Sequence, residues 1–351
     1  FYMGKYTIKD IARECGVGVS TVSRAINNHP DINPQTKQLI LDKISERQYI
    51  PNNSARNLKK TETNTIAVLI KGIANPIFHQ MIDIIQSEIL SKDYAFILKK
   101  VGFDEDETVV ASEIIREQKI KGIVFLGGIF THTEERLKEL TVPYVLSTIA
   151  PNTSIDGNIY SAISVDDVAE SCRMTEYLIE NGHKRIAMLQ AKKEDLGVGY
   201  LRLKGYQQAF KNHNIPMKRN LIIYSDSKSD GDLFSMENGY KLAKKLIASH
   251  KDFTAIFAIS DRMAIGAIKA LTEEGIRVPQ DISVVGFDGL DIARYYIPSI
   301  TTVKQPVEDM ARETIYQLFR LIKGSGVNKH MVFEGTIVEG ESTRAIKKRG
   351  S

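Results

Sequence analysis

The sequence contains only two cysteines, Cys15 and Cys172, far apart in a chain of 351 residues. A disulfide framework is therefore not expected, and a reducing cytoplasm is the expected compartment. No apolar run approaches the roughly 18 residues that a membrane-spanning helix needs. The first residues, Phe1 to Lys9, also lack the pattern of a secretory signal. These features predict a cytoplasmic chain with no membrane partner.

Motifs of common enzyme classes are missing as well. The sequence has no G-x-S-x-G elbow, no phosphate-binding G-x-x-x-x-G-K-[ST] and no zinc-binding H-E-x-x-H. Its His, Cys and carboxylate residues show no metal-ligand spacing. The short Gly16-Val17-Gly18 segment follows a predicted helix and not a strand, so it does not predict a dinucleotide site. We therefore expect no catalytic residue, no metal and no cofactor.

Positive charge is concentrated at one end of the chain. Residues 1–60 hold ten Lys and Arg against five Asp and Glu, and the remainder holds 37 basic and 38 acidic residues. A basic head on a nearly neutral body suits binding to phosphates, although a solvated basic face would give the same count.

Apolar spacing predicts three short helices in a head of residues 1–50. The first spans Ile8 to Glu14, the second Thr21 to Asn27, and the third runs from Asn33-Pro34 to about Gln48. Gly16 is expected at a positive φ after the first helix, and Asn33 is expected to cap the third. The residues expected to face inward are Val22 with Ala25 or Ile26, and Ile40, Leu41 and Ile44.

The pattern of apolar residues changes after a polar segment, residues 51–64, which is predicted to form a hinge and linker. Short β-branched runs then alternate with helical patterns of 10–17 residues. The predicted strands are 66–70, 95–98, 122–126 and 144–147, followed by 162–165, 185–189, 221–224, 255–259 and 282–287. Two such series predict two doubly wound parallel-sheet subdomains, with ligands at the carboxyl ends of the strands.

The segment Thr7–Asn27, TIKDIARECGVGVSTVSRAIN, carries the most specific signal. A helix, a glycine-containing turn and a second short helix fit a helix-turn-helix, whose second helix enters the major groove of DNA. Arg24 on that helix can donate two hydrogen bonds to a guanine, while Ser20, Thr21 and Ser23 can hold phosphates. The alternative is a three-helix bundle that binds nothing, with Arg24 in a surface ion pair.

These residues, together with NNSARNLKK, IAVLIKGIANPIF and the long stretch at 278–306, closely resemble the lactose-repressor/galactose-repressor (LacI/GalR) family. The resemblance covers nearly the whole chain and ends near Glu341. It implies a small all-α helix-turn-helix head and an α/β periplasmic-binding-protein-like sensor. A sequence-specific transcriptional regulator, a repressor, is the implied function.

The resemblance also implies which residues contact DNA. Val19 and Ser20 match positions that select the operator, Arg24 matches a direct operator contact, and Leu58 matches a hinge-helix leucine that wedges into the minor groove. Leu58 could instead be an ordinary packing residue. Gly18 departs from the family, because a Ser or Thr usually caps this helix. The full set implied for the DNA interface is Thr7, Val19, Ser20, Thr21, Ser23, Arg24, Asn27, Ala55 and Leu58.

The effector site, by resemblance, lies between two subdomains within residues 65–345. The three crossovers are expected near residues 163, 291 and 323. They give an N-subdomain of about 65–163 and 292–323, and a C-subdomain of about 164–291 and 324–345. The residues implied to bind effector are Asn75, Phe78, Arg202, Phe234, Ser260, Asp288 and Gln305. Phe78 and Phe234 could instead be core aromatics, and Arg202 a surface residue; Asp261 is expected only to cap a helix, so we leave it out.

An aromatic ring, an arginine and an aspartate suit a sugar or similar polyol as the effector. A purine, a nucleoside or a phosphorylated metabolite remains open at this point. The other partners expected are a pseudo-palindromic double-stranded DNA operator and a second copy of the chain in a homodimer. Two alternatives are a catabolite-control-type regulator with a phosphocarrier protein as corepressor, and a solute-binding protein.

Overall fold

The structure, a computed structural model, describes most of the chain. The described residues are 7–26, 31–47, 49, 64–72, 74–102, 105–128, 132–152, 154–193, 197–226, 232–249 and 252–346. Two units follow each other in sequence, Phe1–Glu62 and Thr63–Ser351, and each has its own hydrophobic core. Within the described part, no helix is long and apolar enough to cross a membrane.

The described part of the first unit contains three helices: α1 (Ile8–Glu14), α2 (Val19–Ile26) and α3 (Pro34–Glu46). The turn between α1 and α2 has Gly16 at a φ of 67°, which confirms the expected positive value. Asn33 caps α3 by accepting a hydrogen bond from the Gln35 N–H at 2.9 Å, as predicted.

Five of the described residues are buried and form the core of this head: Ile11, Ala12, Val22, Ala25 and Ile40. Leu41 was expected inside, but its side chain is exposed because α3 turns that position away from α1 and α2. Helix α2 also begins at Val19, two residues earlier than predicted, since the Gly18 carbonyl already accepts the N–H groups of Thr21 and Val22.

The described part of the second unit contains two six-stranded sheets. We define the N-subdomain by the sheet in the order β11-β5-β4-β3-β1-β2, in which every pair is parallel. Its elements are β1 (Thr65–Ile70), α4 (Pro76–Leu90), β2 (Ala95–Lys100), α5 (Glu107–Gln118), β3 (Gly122–Leu126), α6 (Glu134–Lys138), β4 (Tyr144–Ser147), β5 (Ser161–Val165), α12 (Val307–Ile322) and β11 (His330–Phe333).

The C-subdomain is defined by the sheet in the order β12-β10-β9-β8-β6-β7, where only the β10–β12 pair is antiparallel. Its elements are α7 (Asp167–Glu180), β6 (Ile186–Gln190), α8 (Val198–Asn212), a 3-10 turn (Arg219–Leu221), β7 (Ile222–Tyr224), α9 (Met236–Ser249), β8 (Ala255–Ala258), α10 (Asp261–Glu273), β9 (Ser283–Asp288), α11 (Asp291–Tyr295), β10 (Thr301–Lys304) and β12 (Thr336–Val338).

All nine predicted strands are present, with ends within two residues of the prediction. The subdomain boundaries differ from the expectation. β10 pairs with β9, so the second crossover follows Lys304 and does not lie near residue 291. β11 pairs with β5, so the chain returns to the C-subdomain only after Phe333 and not near residue 323.

The reason for this difference is that β10, β11 and β12 have only three or four residues each. β11 and β12 are also partly exposed edge strands, so they lack the continuous apolar run that marks the central strands. The N-subdomain therefore takes its last strand from a segment that the sequence assigned to the other subdomain.

Candidate functional site

The exposed face of α2 is the candidate DNA interface of the head. Val19, Ser20 and Arg24 are exposed, and Thr21 and Ser23 are half-buried. Val22 and Ala25, on the opposite face, are buried in the head core. Among the described residues Arg24 makes no ion pair, whereas the alternative of a head that binds nothing expected one at the surface.

Thr7 is the first described residue of the interface set. Its N–H and Oγ1 both donate to Asp10 Oδ2, at 3.0 and 2.6 Å, and this fixes the start of α1. The Thr7 hydroxyl oxygen still has lone pairs, but its proton is engaged. Asn27, Ala55 and Leu58, and with them the hinge segment, lie outside the described residues.

Asp288 is the centre of the candidate site in the second unit. It ends β9 and its side chain is buried, with a φ of 112° that non-glycine residues rarely adopt. Gln305 Nε2 and Arg202 Nη2 donate to Oδ1 at 2.9 and 3.3 Å, and Asn75 Nδ2 donates to Oδ2 at 3.3 Å. Strain of about 1–3 kcal/mol in such a backbone is typical of functional sites.

This cluster lies between the two subdomains, because Asn75 caps α4 of the N-subdomain by accepting the Ile77 N–H at 3.2 Å. Asp288 belongs to the C-subdomain sheet, and Gln305 lies on the second crossover. The carboxyl ends of β1 and β9 therefore face each other across a cleft, as expected for parallel sheets.

Arg202, on α8, is buried and not a surface residue. Its Nε donates to Asp167 Oδ1 at 2.8 Å, its Nη1 donates to the Ile259 carbonyl, and its guanidinium lies 3.6 Å from the centroid of the Phe287 ring. With the bond to Asp288, three of its five N–H groups have partners among the described residues. The other two N–H groups have no partner among the described residues.

Three buried carboxyl groups lie at this site, and two of them, Asp167 and Asp288, pair with Arg202. Burial raises the pKa of Asp288 and Asp167 above the ordinary value, and the nearby Arg202 guanidinium opposes that rise. Burial, followed by repulsion from Asp288, raises the pKa of Asp261 to about 8. Asp261 is therefore mainly protonated near neutral pH, which lowers the negative charge of the cluster.

The expectation that Asp261 caps a helix was wrong. Ser260 is the cap of α10, because its Oγ accepts the Met263 N–H at 3.2 Å. The Asp261 carboxyl group turns toward β9 and β10, where it accepts the Leu290 N–H at 2.7 Å and the Thr302 hydroxyl at 2.5 Å. It supports the loop that follows Asp288.

Ser260 and Phe234 form a second part of the predicted set. The Ser260 hydroxyl donates to the Phe234 carbonyl at 3.1 Å, so both of its hydrogen bonds go to protein. Phe234 is half-buried and packs on the C-subdomain core. Its ring thus combines core packing with a partly open face.

Phe78, on the first turn of α4, is also half-buried. Its ring lies over Gly127, at the carboxyl end of β3, so closely that a Cβ there would be 2.8 Å from the ring. Glycine is therefore required at Gly127, which also has a φ of 72°. The structure brings Phe78 to the same end of the N-subdomain sheet as Asn75.

Comparisons with known proteins assign the chain to a family. The sequence profile of bacterial regulatory proteins of the lacI family matches residues 7–52, and that of periplasmic binding protein-like domains matches residues 175–343. The HTH-type transcriptional regulator MalR of Clostridium butyricum is 42% identical over 339 residues, which cover 95% of this chain and 98% of that protein. The chain belongs to the lacI family.

Other lacI-family members are similar over nearly the full length. Catabolite control protein A of Priestia megaterium is 29% identical and covers 93% of this chain and 95% of its own. The structure described as the transcriptional regulator CelR-cellobiose complex is 28% identical, with a TM-score of 0.69 over 96% of this chain and 99% of that one. As a lacI-family member the chain is a DNA-binding transcription regulator and not an enzyme.

Sequence reasoning missed several residues of the cleft in this lacI-family chain. Asp167 follows β5 and binds Arg202, and its position directly after an apolar strand was the available signal. Arg262 and Asp232 form an ion pair at the cleft. The sequence gave no signal for either residue, because Arg262 follows Asp261, which was assigned to a helix cap, and Asp232 follows a run of polar residues.

A charged cluster of the N-subdomain was missed as well. Lys71 Nζ lies 2.5 Å from the buried Glu107 carboxylate, and His132 Nε2 lies 2.8 Å from the other oxygen. Burial raises the pKa of Glu107, but the hydrogen bonds from His132 and Lys71 outweigh it and the net pKa is lowered. No three His, Cys, Asp or Glu residues in the described part of the chain are arranged to hold a metal ion.

Proposed function

We propose that this regulator is a repressor whose affinity for its operator is set by a neutral sugar bound in the cleft at Asp288. The observation that carries the proposal is the convergence of three donors on one buried carboxylate, one of them from the opposite subdomain. A carboxylate offers about four acceptor sites, so one remains beside the bond from Asn75. That site and the two spare N–H groups of Arg202 suit neighbouring hydroxyls of a sugar.

The charge of the cleft favours a neutral ligand over a sugar phosphate. Arg202 is paired with Asp167 and Asp288, and Arg262 is paired with Asp232. A phosphate would therefore meet cations whose charge is already compensated, with carboxylates next to them. A hydroxyl-bearing ring stacked near Phe78 or Phe234 meets no such repulsion.

Ligand binding can be coupled to subdomain movement through the crossovers. Asp167 follows the first crossover, and Gln305 lies on the second. Both are hydrogen-bonded to the cluster, through Arg202 and Asp288 respectively. A ligand that replaces or strengthens these bonds changes the relative stability of open and closed clefts, and an equilibrium of this kind shifts in proportion to the differential affinity.

The DNA side of the proposal follows from the family resemblance. We expect α2 to present Val19, Ser20 and Arg24 to base edges, and a hinge segment containing Leu58 to enter the minor groove. Two copies of the chain would bind a pseudo-palindromic operator as a homodimer in the cytoplasm.

The test is a calorimetric titration with neutral sugars, including cellobiose and ribose, and with their phosphorylated counterparts. We expect the wild-type chain to bind a neutral sugar, and Asp288→Asn to weaken that binding by tenfold or more, since a buried acceptor is lost. Asp281→Asn is the matched control, because Asp281 is exposed at the opposite end of β9 and pairs with Arg277.

Binding of only phosphorylated sugars would overturn the neutral-sugar assignment. Equal affinity of the Asp288→Asn and Asp281→Asn variants would overturn the site.

A second candidate is regulation by a phosphocarrier protein as corepressor. The similarity to catabolite control protein A, which extends over nearly the whole chain, favours this candidate. Other regulators are equally similar, however. Addition of the phosphorylated phosphocarrier protein to an operator-binding assay distinguishes the two. A gain of operator affinity with that protein, and no effect of any sugar, would support the second candidate.

A further inference from the structure

Arg262 of the C-subdomain forms a hydrogen bond with the N-subdomain at the cleft. It lies in the first turn of α10, and its side chain is 19% exposed. Its Nη1 donates to the Ala74 carbonyl of the N-subdomain at 3.1 Å and also to Asp232 Oδ2. One guanidinium group thus connects the two subdomains across the cleft.

Both ends of this connection are adjacent to proposed effector residues. Ala74 directly precedes Asn75, whose amide donates to Asp288. Asp232 Oδ1 accepts the Phe234 N–H at 3.1 Å, so the carboxylate that holds Arg262 also fixes the loop of Phe234. The position of Arg262 is therefore coupled to Asn75 on one side and to Phe234 on the other.

The Ala74–Asn75 loop makes two hydrogen bonds with the C-subdomain: the Ala74 carbonyl accepts one from Arg262, and Asn75 Nδ2 donates one to Asp288. Opening of the cleft must break both. The bond from Arg262 has a charged donor, so it contributes more than a neutral bond at the same place would.

We infer that Arg262 is a positioning residue that holds the Ala74–Asn75 loop in the closed cleft and thereby sets how readily the cleft opens for the effector. It need not contact the effector itself. The inference rests on the proposed function, because only a ligand-binding cleft gives its opening a role.

The test measures how readily the cleft opens in the absence of any sugar, by hydrogen–deuterium exchange of the full-length chain. The reporters are the amides of Ile77 and Phe78, which are bonded to the Asn75 side chain and carbonyl at 3.2 and 3.1 Å. We expect Arg262→Met to speed their exchange by about tenfold, because a charged hydrogen bond that favours the closed state is lost. Exchange in β9 should stay unchanged.

The matched control is Lys269→Met on the same helix, since Lys269 is exposed and pairs only with Glu273 among the described residues. Arg262→Lys keeps a cation and should restore part of the protection. Exchange at Ile77 and Phe78 that is the same in the Arg262→Met and Lys269→Met variants would overturn the inference. A general rise of exchange in the C-subdomain, with no rescue by lysine, would also overturn it, since that pattern indicates a structural role.

Failure of the sugar titrations would leave the exchange measurement valid, because that measurement uses no ligand. The two proposals can therefore fail separately.

Discussion

Arg24 points outward from α2 and has no ion-pair partner among the described residues, so its five donors are available to DNA. We predict that Arg24→Ala lowers affinity for the selected operator by about 1–3 kcal/mol, since a bidentate contact to guanine is lost. Arg24→Lys should keep non-specific affinity but lose most of the specificity, because an ammonium group cannot make the planar fork. Mobility-shift titrations against operator and random duplex measure both.

An equal loss on operator and random duplex in the alanine variant would contradict this role, since it would indicate a phosphate contact only.

Arg202 is a second residue whose surroundings determine the outcome of a substitution. Arg202→Ala should lower the free energy of unfolding by about 3–5 kcal/mol, because Asp167 and Asp288 would be left buried without their cation. Urea unfolding measures this loss, and the variant should also fail to respond to the effector while binding operator as before. Arg277→Ala is the control, since Arg277 is exposed and pairs at the surface with Asp281.

A loss in Arg202→Ala as small as that in the control would show that the two carboxyl groups are not ionised in the folded state.

Asp261 makes the stability of the second unit depend on pH. Its pKa is about 8 when folded, against 3.8 for an ordinary aspartate, so the folded state holds the proton more tightly. The unfolded state therefore binds fewer protons between these values, and stability falls as the pH rises from 3.8 to about 8. Asp261→Asn resembles the protonated form, with an oxygen for the Leu290 N–H and an amide for Thr302.

We predict that Asp261→Asn is less sensitive to pH than the wild type across this window. Thermal unfolding at several pH values measures the difference, which should grow in favour of the variant as the pH rises. Parallel curves for the two proteins would contradict the raised pKa.

At the scale of the element, the turn from α1 to α2 contains two glycines, and we expect substitutions at these two positions to have opposite effects on stability. Gly16 has a φ of 67° and open space around it, so Gly16→Ala should cost about 1–2 kcal/mol through backbone strain alone. At Gly18 an added Cβ makes only ordinary contacts, and Gly18→Ser should stabilise α2 by about a few tenths of a kcal/mol.

Gly18→Ser should also strengthen DNA binding, because the family usually has Ser or Thr at this cap. Thermal unfolding and mobility shifts measure the two effects, and a weaker operator complex in Gly18→Ser would contradict the assigned cap.

The elements that the sequence predicted well are those with strong local signals. The buried strands β1, β3 and β4 are continuous apolar runs, and α1 was predicted with its correct ends. β10 and β11 were not predicted, because a strand of four residues depends on its neighbours in the sheet more than on its own composition. The crossovers were misplaced for the same reason.

At the scale of the whole molecule, the candidate cleft could be predicted only in part. Asp288 and Arg202 were predicted from their match to family positions, and their direct contact at 3.3 Å supports the set as one cluster. Asp232 and Arg262 could not be found, because their role depends on pairing between segments far apart in sequence. Local patterns carry no information on such pairs.

The central claim is that a small molecule in the cleft changes how strongly the head binds DNA. The measurement that tests it most directly is the affinity of the purified full-length chain for its selected operator, with and without the sugar that it binds, at one fixed salt concentration. We predict a change in operator affinity of tenfold or more, no change for random duplex, and no response in Asp288→Asn. A chain that prefers no duplex over random competitor, under either condition, would contradict the account.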